Sequence, residues 1–275
     1  MIKRDMEVQT NFSERIKKEC GIYDLQGICK NRNGDYTIAI EAVDMGNDPV
    51  EAFWELFSED ELYAKAKFAK RVGAIMYLML HKREKFGAQE EKQDEIYCKK
   101  VSTDNGTDVV VKDDVKLSED YFVQWWKKRK AGAQKKEYGD EMKRLIRASY
   151  FDTLLERNRS SWPGNIDGFM MRDGKISSII ECRFSSDFNI SSYDPNQFFA
   201  DDKKVWGELY KLSTEMKVPL YLFTYSRRMG SREKVGIAKI ENITSTGLVY
   251  KDSIKPCNNL KSSSYEVLDW ISKNP

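Results

Sequence analysis

The chain has 275 residues, of which 40% are hydrophobic and 12% aromatic. This length suits one large domain or a core with a second lobe, and the apolar content excludes disorder as the default. Charged residues make up 33% of the chain, but the formal net charge is only +2. The molecule as a whole is therefore not a polycation, and an acidic partner would have to meet a local basic patch.

Cysteine and histidine usage limits the kinds of site that the chain can hold. Five scattered cysteines, no CxxC pair and one histidine argue against a Cys/His zinc site and against a disulfide framework. Residues 1–20 lack the apolar segment of a secretory signal, and no long apolar span occurs elsewhere in the sequence. We therefore expect a soluble, cytoplasmic protein without a membrane partner.

The first part of the chain mixes strand and helix patterns. Residues 34–46 alternate in the manner of a strand, and residues 49–86 keep the spacing of one or two helices. Residues 96–114 predict a hairpin around Asn105-Gly106, the strongest short turn signal in the chain. No internal repeat is evident in the sequence.

After residue 116 the sequence predicts a sheet covered by helices. The predicted elements, in chain order, are a helix from about 140, two strands around Asp173-Gly174, a helix over 196–218, strands over 219–226, 234–242 and 246–252, and a helix over 264–274. Strands that are apolar on both faces imply helices on both sides of the sheet. We predict an α/β fold with a central mixed β-sheet flanked by helices over 116–275. An N-terminal α+β lobe over 1–115 would serve recognition or dimerisation.

Acidic residues lie in the paired strands where apolar ones are expected. Glu181 shares a strand face with Arg183, and a buried carboxylate is costly unless something pairs it. Asp167 precedes Glu181 by 14 residues, so the hairpin would set the two carboxylates opposite each other. A divalent cation would remove their repulsion, and hard oxygen ligands favour Mg²⁺. The alternative is a plain ion pair between Arg183 and either acid.

This segment resembles the PD-(D/E)XK nuclease superfamily, whose core is helix, strand, strand, helix, strand. The resemblance covers about residues 140–225, where "NIDG" supplies Asp167 and "IIECR" supplies Glu181 and Arg183. It implies a restriction-endonuclease-like core with Mg²⁺, which Mn²⁺ can replace, bound by the two carboxylates and by the backbone carbonyl of Cys182.

The resemblance also implies an assisting acid on the preceding helix, at Glu156. Two positions depart from the family pattern: Ile166 replaces a proline and Arg183 replaces the lysine. Arginine can stabilise charge on a phosphate, but it does not deprotonate in proteins and cannot be a general base. Lys203 or Lys204 on the following helix could supply the missing ammonium, the alternative being ordinary solvated lysines.

Basic side chains cluster just before the expected metal site. Residues 125–147 hold nine Lys/Arg and three Asp/Glu, an excess that suits a phosphate backbone. The alternative is a solvated helical face. A second basic loop spans 225–234. The candidate nucleic-acid contacts are Lys127, Lys128, Arg129, Lys130, Arg227 and Arg228.

Together these features predict a Mg-dependent DNA endonuclease, site-specific in the manner of restriction enzymes and working as a homodimer. A repair or phage nuclease is the enzymatic alternative. From another class comes a nuclease-fold protein that binds nucleic acid but no longer cuts it, which the departure at Arg183 favours. An interaction protein with no nucleic-acid role is the third possibility.

Overall fold

The chain divides into two compact units in a computed structural model. The first comprises Met1–Val8 and Leu25–Asn165, and the second comprises Gln9–Asp24 and Ile166–Pro275. Each unit is a mixed sheet with helices packed on it, so the predicted α/β fold is confirmed. The division at residue 115 stays a prediction. The structure describes residues 2–4, 14–82, 95–104, 108–129, 150–158, 160, 164–185, 194–197, 199–226, 235–256 and 260–275.

The described elements follow one another in this order: β1 (Lys3–Arg4), α1 (Glu14–Cys20), β2 (Ile22–Lys30), β3 (Tyr36–Asp44), a 3₁₀ helix (Val50–Glu55), α2 (Glu59–Arg71), β4 (Ile75–His81), β5 (Ile96–Asp104), β6 (Asp108–Leu117), α3 (Glu119–Arg129), α4 (Tyr150–Arg157), β7 (Gly164–Arg172), β8 (Lys175–Ser185), α5 (Phe199–Met216), β9 (Leu220–Ser226), β10 (Val235–Ile243), β11 (Leu248–Pro256) and α6 (Leu260–Lys273). The start of the helix predicted from residue 140 lies outside the described residues. Within the part of the chain that is described, no helix is both long and apolar enough to cross a membrane.

The first unit is organised around a parallel strand pair. Strands β2 and β3 pair antiparallel, β3 and β4 pair parallel, and β5 and β6 continue the sheet antiparallel. Helix α2 makes the crossover from β3 to β4 and is N-capped by Ser58, whose hydroxyl oxygen accepts a 3.1 Å hydrogen bond from the backbone N–H of Glu61. The sequence placed Ile75–His81 within a helix, which is wrong. This segment is a strand whose residues are buried on both faces after Ile75, and such a run lacks a period that distinguishes it from a buried helix.

The second unit is also organised around a parallel strand pair. Strands β7 and β8 form the predicted hairpin around Asp173 and Gly174, whose φ angles of 49° and 68° are those of a tight hairpin turn. Helix α5 crosses from β8 to the parallel strand β9, and β10 and β11 follow antiparallel. One buried core cluster of this unit consists of Ile16, Cys20, Ile22, Met170, Ile180, Tyr221, Phe223, Val235, Ile237, Val267 and Ile271.

The two units repeat one order of elements. In the first unit the order is β2, β3, α2, β4, β5, β6, α3, and in the second it is β7, β8, α5, β9, β10, β11, α6. The strand pairings also match in sequence: antiparallel, parallel, antiparallel, antiparallel. The two units thus share an order of elements and of strand pairings, although no repeat is evident in the residues themselves.

Gly168, next to Asp167, lies where β7 packs closely against its neighbours, and its replacement by alanine tests that packing. A Cβ at Gly168 would lie 3.1 Å from Ile180 Cβ and 3.2 Å from Ile22 Cγ2, so Gly168→Ala should lower the free energy of unfolding by about 1–3 kcal/mol in urea denaturation. Gly207→Ala is the control, since a Cβ there meets nothing within 4 Å and alanine favours the helix by about 0.5–1 kcal/mol. Equal stability of the two variants would contradict the close packing.

Candidate functional site

The structure brings Asp167 and Glu181 together across the β7–β8 pair. Gly168 pairs with Ile180, so the residue before the glycine faces the residue after the isoleucine. One carboxylate oxygen of Asp167, Oδ2, accepts a 3.0 Å hydrogen bond from the backbone N–H of Cys182. Glu181 itself is only 6% exposed. Two acidic side chains thus meet at the end of a buried strand, the arrangement that the sequence suggested.

Burial makes Glu181 a poor place for a bare negative charge. Removal from water is the main cause that raises the pKa of Glu181 well above its usual range, and the neighbouring charge of Asp167 adds to it. Asp202 raises the pKa further, whereas Arg183 lowers it. Without a metal, the site therefore favours the protonated form of Glu181, and a positive charge placed beside it would stabilise the ionised form.

Arg183 lies between two acids. Its Nη2 is 2.8 Å from Glu181 Oε1 and its Nη1 is 3.0 Å from Asp202 Oδ2. The guanidinium carbon is 5.5 Å from the centre of the Trp206 ring, a distance at which a cation and an aromatic face attract. The guanidinium is thus fixed beside the acid pair by one strand residue and one helix residue.

Asp202 is a member of this cluster that the sequence interpretation missed. It lies in the first turn of α5, where an acidic residue is expected from the helix dipole alone. The neighbouring lysines drew attention as candidate cations, but an aspartate four residues before a buried tryptophan is the signal that could have been noticed. In the structure it is this aspartate that contacts Arg183.

A second buried ion pair of the same unit, Lys17 with Asp24, affects the pKa of the Cys182 thiol. Lys17 Nζ on α1 lies 3.3 Å from Asp24 Oδ2 on β2, and both side chains are buried. Burial is the main cause that raises the pKa of the Cys182 thiol well above its usual range, and the charge of Asp167 also raises it. The thiol is therefore unsuited to nucleophilic chemistry, which leaves the backbone of Cys182 as its contribution to the site.

The donor set at the strand ends suits a hard divalent cation. Among the described residues, no group of three or more His, Cys, Asp or Glu side chains could hold a metal ion. Asp167 and Glu181 nevertheless offer carboxylate oxygens beside the backbone of Cys182, and oxygen ligands are those that Mg²⁺ and Mn²⁺ prefer. Since a bound cation would relieve the repulsion between the two acids, the residues fit the predicted metal.

The other predicted catalytic residues are Glu156, Lys203 and Lys204. Glu156 lies on α4, and its side chain is outside the described part of the structure. Lys203 Nζ donates a 3.1 Å hydrogen bond to the backbone carbonyl oxygen of Ser245, so its ammonium contacts the loop before β11. Lys204 is exposed on α5. The structure therefore brings Arg183, and neither lysine, into contact with the acid pair.

The basic cluster is described only in part. Lys127 and Lys128 are exposed in the last turn of α3. The guanidinium carbon of Arg129 lies 4.2 Å from the centre of the Trp125 ring, and its Nη1 donates to the Trp125 carbonyl oxygen at 3.2 Å. Three further candidates lie outside the described residues: Lys130, Arg227 and Arg228.

The first unit holds a polar cluster that the sequence interpretation missed entirely. Glu41 on β3 and Lys65 on α2 are both fully buried, with Lys65 Nζ 2.8 Å from Glu41 Oε1 and 2.8 Å from Glu61 Oε1. Arg4 on β1 also pairs with Glu61. A lysine within an apolar helix face, four residues after a glutamate, is the only sequence signal for this cluster.

Comparisons with known proteins leave this site to be interpreted from its own geometry. No family model matches the chain, and no curated protein matches it. Among solved structures, the crystal structure of the sex pheromone staph-cAM373 precursor covers 94% of this chain and 84% of its own, at 11% identity and a TM-score of 0.22. A likeness of that size carries no argument about fold or function.

The raised pKa of Glu181 gives stability a pH dependence in the absence of metal. Because the folded pKa lies above the unfolded value near 4.5, the contribution of Glu181 is fully present below that value and declines as pH rises toward the folded pKa. Glu181→Gln should therefore flatten the loss of stability that begins as pH rises above about 4.5, and it should raise the melting temperature at alkaline pH, measured by thermal unfolding in EDTA.

The matched control for this measurement is Glu215→Gln on α5. Glu215 is an exposed residue 3.8 Å from Lys211, so its loss should change stability by about 0.5 kcal/mol or less at every pH. If Glu181→Gln kept the wild-type slope, Glu181 would have an ordinary pKa and the electrostatic account of the acid pair would be wrong.

The buried pair of the first unit predicts a large loss of stability when one partner is removed. Lys65→Met leaves Glu41 buried without its nearest cation, which should lower the free energy of unfolding by about 3–5 kcal/mol in urea denaturation. Lys70→Met, at an exposed position of the same helix, should change it by about 0.5 kcal/mol or less. The double variant Glu41→Gln/Lys65→Met should recover most of the loss, and additive losses would contradict the pairing.

Proposed function

We propose that the second unit is a metal-dependent nuclease that hydrolyses phosphodiester bonds in DNA. The observation that carries this proposal is the facing pair Asp167 and Glu181 at the end of a buried hairpin, with Arg183 held 2.8 Å from Glu181. Support also comes from the succession β7, β8, α5, β9, with β8 and β9 parallel. That succession is the one expected from the resemblance to PD-(D/E)XK nucleases.

In this proposal the protein supplies oxygen ligands for Mg²⁺ or Mn²⁺. Asp167, Glu181 and the backbone carbonyl of Cys182 would hold the ion. When bound, a divalent cation supplies Lewis acidity for water activation and offsets charge on the phosphate. The raised pKa of Glu181 supports this role, because a site that disfavours its own negative charge is stabilised by a cation.

Arg183 has the role of a phosphate-binding cation. Its Nη1 and Nη2 each carry a second N–H beside the one that faces Asp202 or Glu181, which can donate to phosphate oxygens, and the guanidinium cannot accept a proton at neutral pH. Asp202, which lies 3.0 Å from Arg183 Nη1, acts as a positioning residue that holds the guanidinium toward the acid pair. Because Lys203 donates to the Ser245 carbonyl, we favour Arg183 over Lys203 as the working cation.

Contacts to the DNA backbone are assigned to the basic cluster. Lys127 and Lys128 are exposed at the end of α3, where lysines without buried partners can follow phosphates. Site-specific cleavage and homodimer formation are proposed from the family resemblance alone. The proposed hydrolysis of phosphodiester bonds does not depend on either property.

A second candidate is a protein that binds nucleic acid on the same scaffold without cutting it. The observation in its favour is that Arg183 already contacts Glu181 and Asp202, so part of the charge in the site is balanced without a metal. The family's usual lysine is also absent from this position. The two candidates make opposite predictions for cleavage.

Cleavage of supercoiled plasmid in Mg²⁺, Mn²⁺ or EDTA tests the proposal. We expect cleavage with either metal, none in EDTA, and none in Asp167→Asn or Glu181→Gln. Arg183→Ala should lower the rate by about a hundredfold or more, because it removes a donor aimed at developing charge. Arg183→Lys should keep activity, since an ammonium can also bind phosphate.

Lys203→Ala is the matched control for the cation. It removes a charge from α5 that does not contact the acid pair, so the rate should stay within about twofold of wild type, a change worth about 0.4 kcal/mol. Wild-type cleavage by Glu181→Gln would refute the metal site. A protein that binds DNA but cuts only as Arg183→Lys would be the second candidate.

A further inference from the structure

In the first unit, the β2–β3 pair sets a glutamine opposite a glutamate. Gly27 pairs with Ile40, so Gln26 faces Glu41, which follows it by 15 residues. Gln26 Oε1 accepts a 2.7 Å hydrogen bond from the backbone N–H of Ala42. The facing side chain is thus tied to the backbone of the residue that follows the buried acid.

The second unit repeats this arrangement position by position. Asp167 faces Glu181, 14 residues later, and accepts the backbone N–H of Cys182 at 3.0 Å. Each glutamate also lies opposite a leucine of the following parallel strand, β4 or β9. The β2–β3 and β7–β8 pairs therefore share their register, a hydrogen bond from side chain to backbone, and a parallel neighbouring strand.

We infer that the first unit is a copy of the second whose acid site is closed by Lys65, so that each chain holds one functional metal site and cuts one DNA strand at a time. The part that concerns cutting rests on the proposed function. The observation that carries the inference is the position-by-position match of Gln26 with Asp167 and of Glu41 with Glu181.

Charge explains why the copy is closed. Gln26 is neutral, so Glu41 lacks the facing carboxylate that Asp167 gives Glu181, and the nearby carboxylate of Glu61 pairs with Lys65 and Arg4. The ammonium of Lys65 lies 2.8 Å from Glu41 Oε1 with both side chains fully buried, and Arg4 Nη1 is 4.0 Å from Glu41 Oε2. A divalent cation would have to displace a buried ammonium and meet the charge of a nearby guanidinium.

One functional site per chain has a consequence for the product. Each hydrolysis adds water across one P–O bond and leaves a phosphate monoester and a hydroxyl on one strand. A chain bound to duplex DNA therefore releases a nick, and a double-strand break needs a second catalytic unit from another chain. At protein concentrations too low for two chains to associate, we expect open-circular plasmid to accumulate first, with linear product rising as the concentration rises and homodimers form.

Mn²⁺ binding, measured by calorimetric titration without DNA, tests the assignment of the metal site. Asp167→Asn/Glu181→Gln should weaken Mn²⁺ binding at least a hundredfold, whereas Glu41→Gln/Lys65→Met should leave it within twofold of wild type. The latter variant removes the buried Glu41–Lys65 pair as a unit and leaves Glu61 paired with Arg4. Loss of a Mn²⁺ site in Glu41→Gln/Lys65→Met would overturn the inference, because the first unit would then hold metal.

A gain of binding tests whether the first unit is a copy. Gln26→Asp/Lys65→Met, added to Asp167→Asn/Glu181→Gln, should bind Mn²⁺ at least tenfold more tightly than that parent. A folded variant, judged by circular dichroism, that gains no affinity would overturn the inference. If the variant does not fold, the same gain is sought in Gln26→Asp/Lys65→Gln, with the same two outcomes.

Failure of the inference can be told apart from failure of the proposed function. Mn²⁺ binding that depends on Asp167 and Glu181 but gives no cleavage of any DNA would refute the nuclease and leave the one-site assignment standing. Cleavage that depends on Glu41 as well as on Glu181 would refute the closed copy and leave the nuclease standing.

Discussion

The structure depends on one electrostatic constraint: each unit places a glutamate on the strand that begins its parallel pair. Glu41 and Glu181 sit on β3 and β8, where the sheet is covered and water is excluded. A carboxylate removed from water loses several kcal/mol of solvation unless another group replaces it. The charged residues that contact Glu41 and Glu181 can be understood as a response to that cost.

The two units balance the charge of the buried glutamate with different groups. In the first unit Lys65 balances Glu41 from the adjoining helix, and both are fully buried. In the second unit, Asp167 and Asp202 join Glu181, while Arg183 is the cation in direct contact. Three acids around one guanidinium leave negative charge in excess among the described groups of that cluster. Such an excess weakens the metal-free fold, and it persists in proteins where a ligand or ion completes the site.

Much of the second unit could be predicted from the sequence, because its signals are local. The Asp173-Gly174 turn fixes the hairpin, and apolar residues on both strand faces imply a covered sheet. Ile75–His81 could not be assigned in this way, since a short apolar run fits a strand and a buried helix equally well. Asp202 was missed for another reason: its place in a first helical turn has an ordinary explanation in the helix dipole. Only the packing of α5 against β8 shows that it contacts Arg183.

The likeness of the two units could not be found from residue identities, because what they share is a register of hydrogen bonds. Gln26 and Asp167 differ in charge and length, but each presents a side-chain carbonyl-type oxygen to the backbone N–H beyond the facing glutamate. An amide oxygen accepts that bond as a carboxylate does. The exchange of Asp for Gln therefore keeps the hairpin intact while it removes a charge. With that charge absent, a buried lysine is compatible with Glu41, whereas the divalent cation that we propose for the second unit would lack a facing carboxylate here. The neutral hydrogen bond of Gln26 thus maintains the strand pairing of the first unit without the metal that we propose for the second.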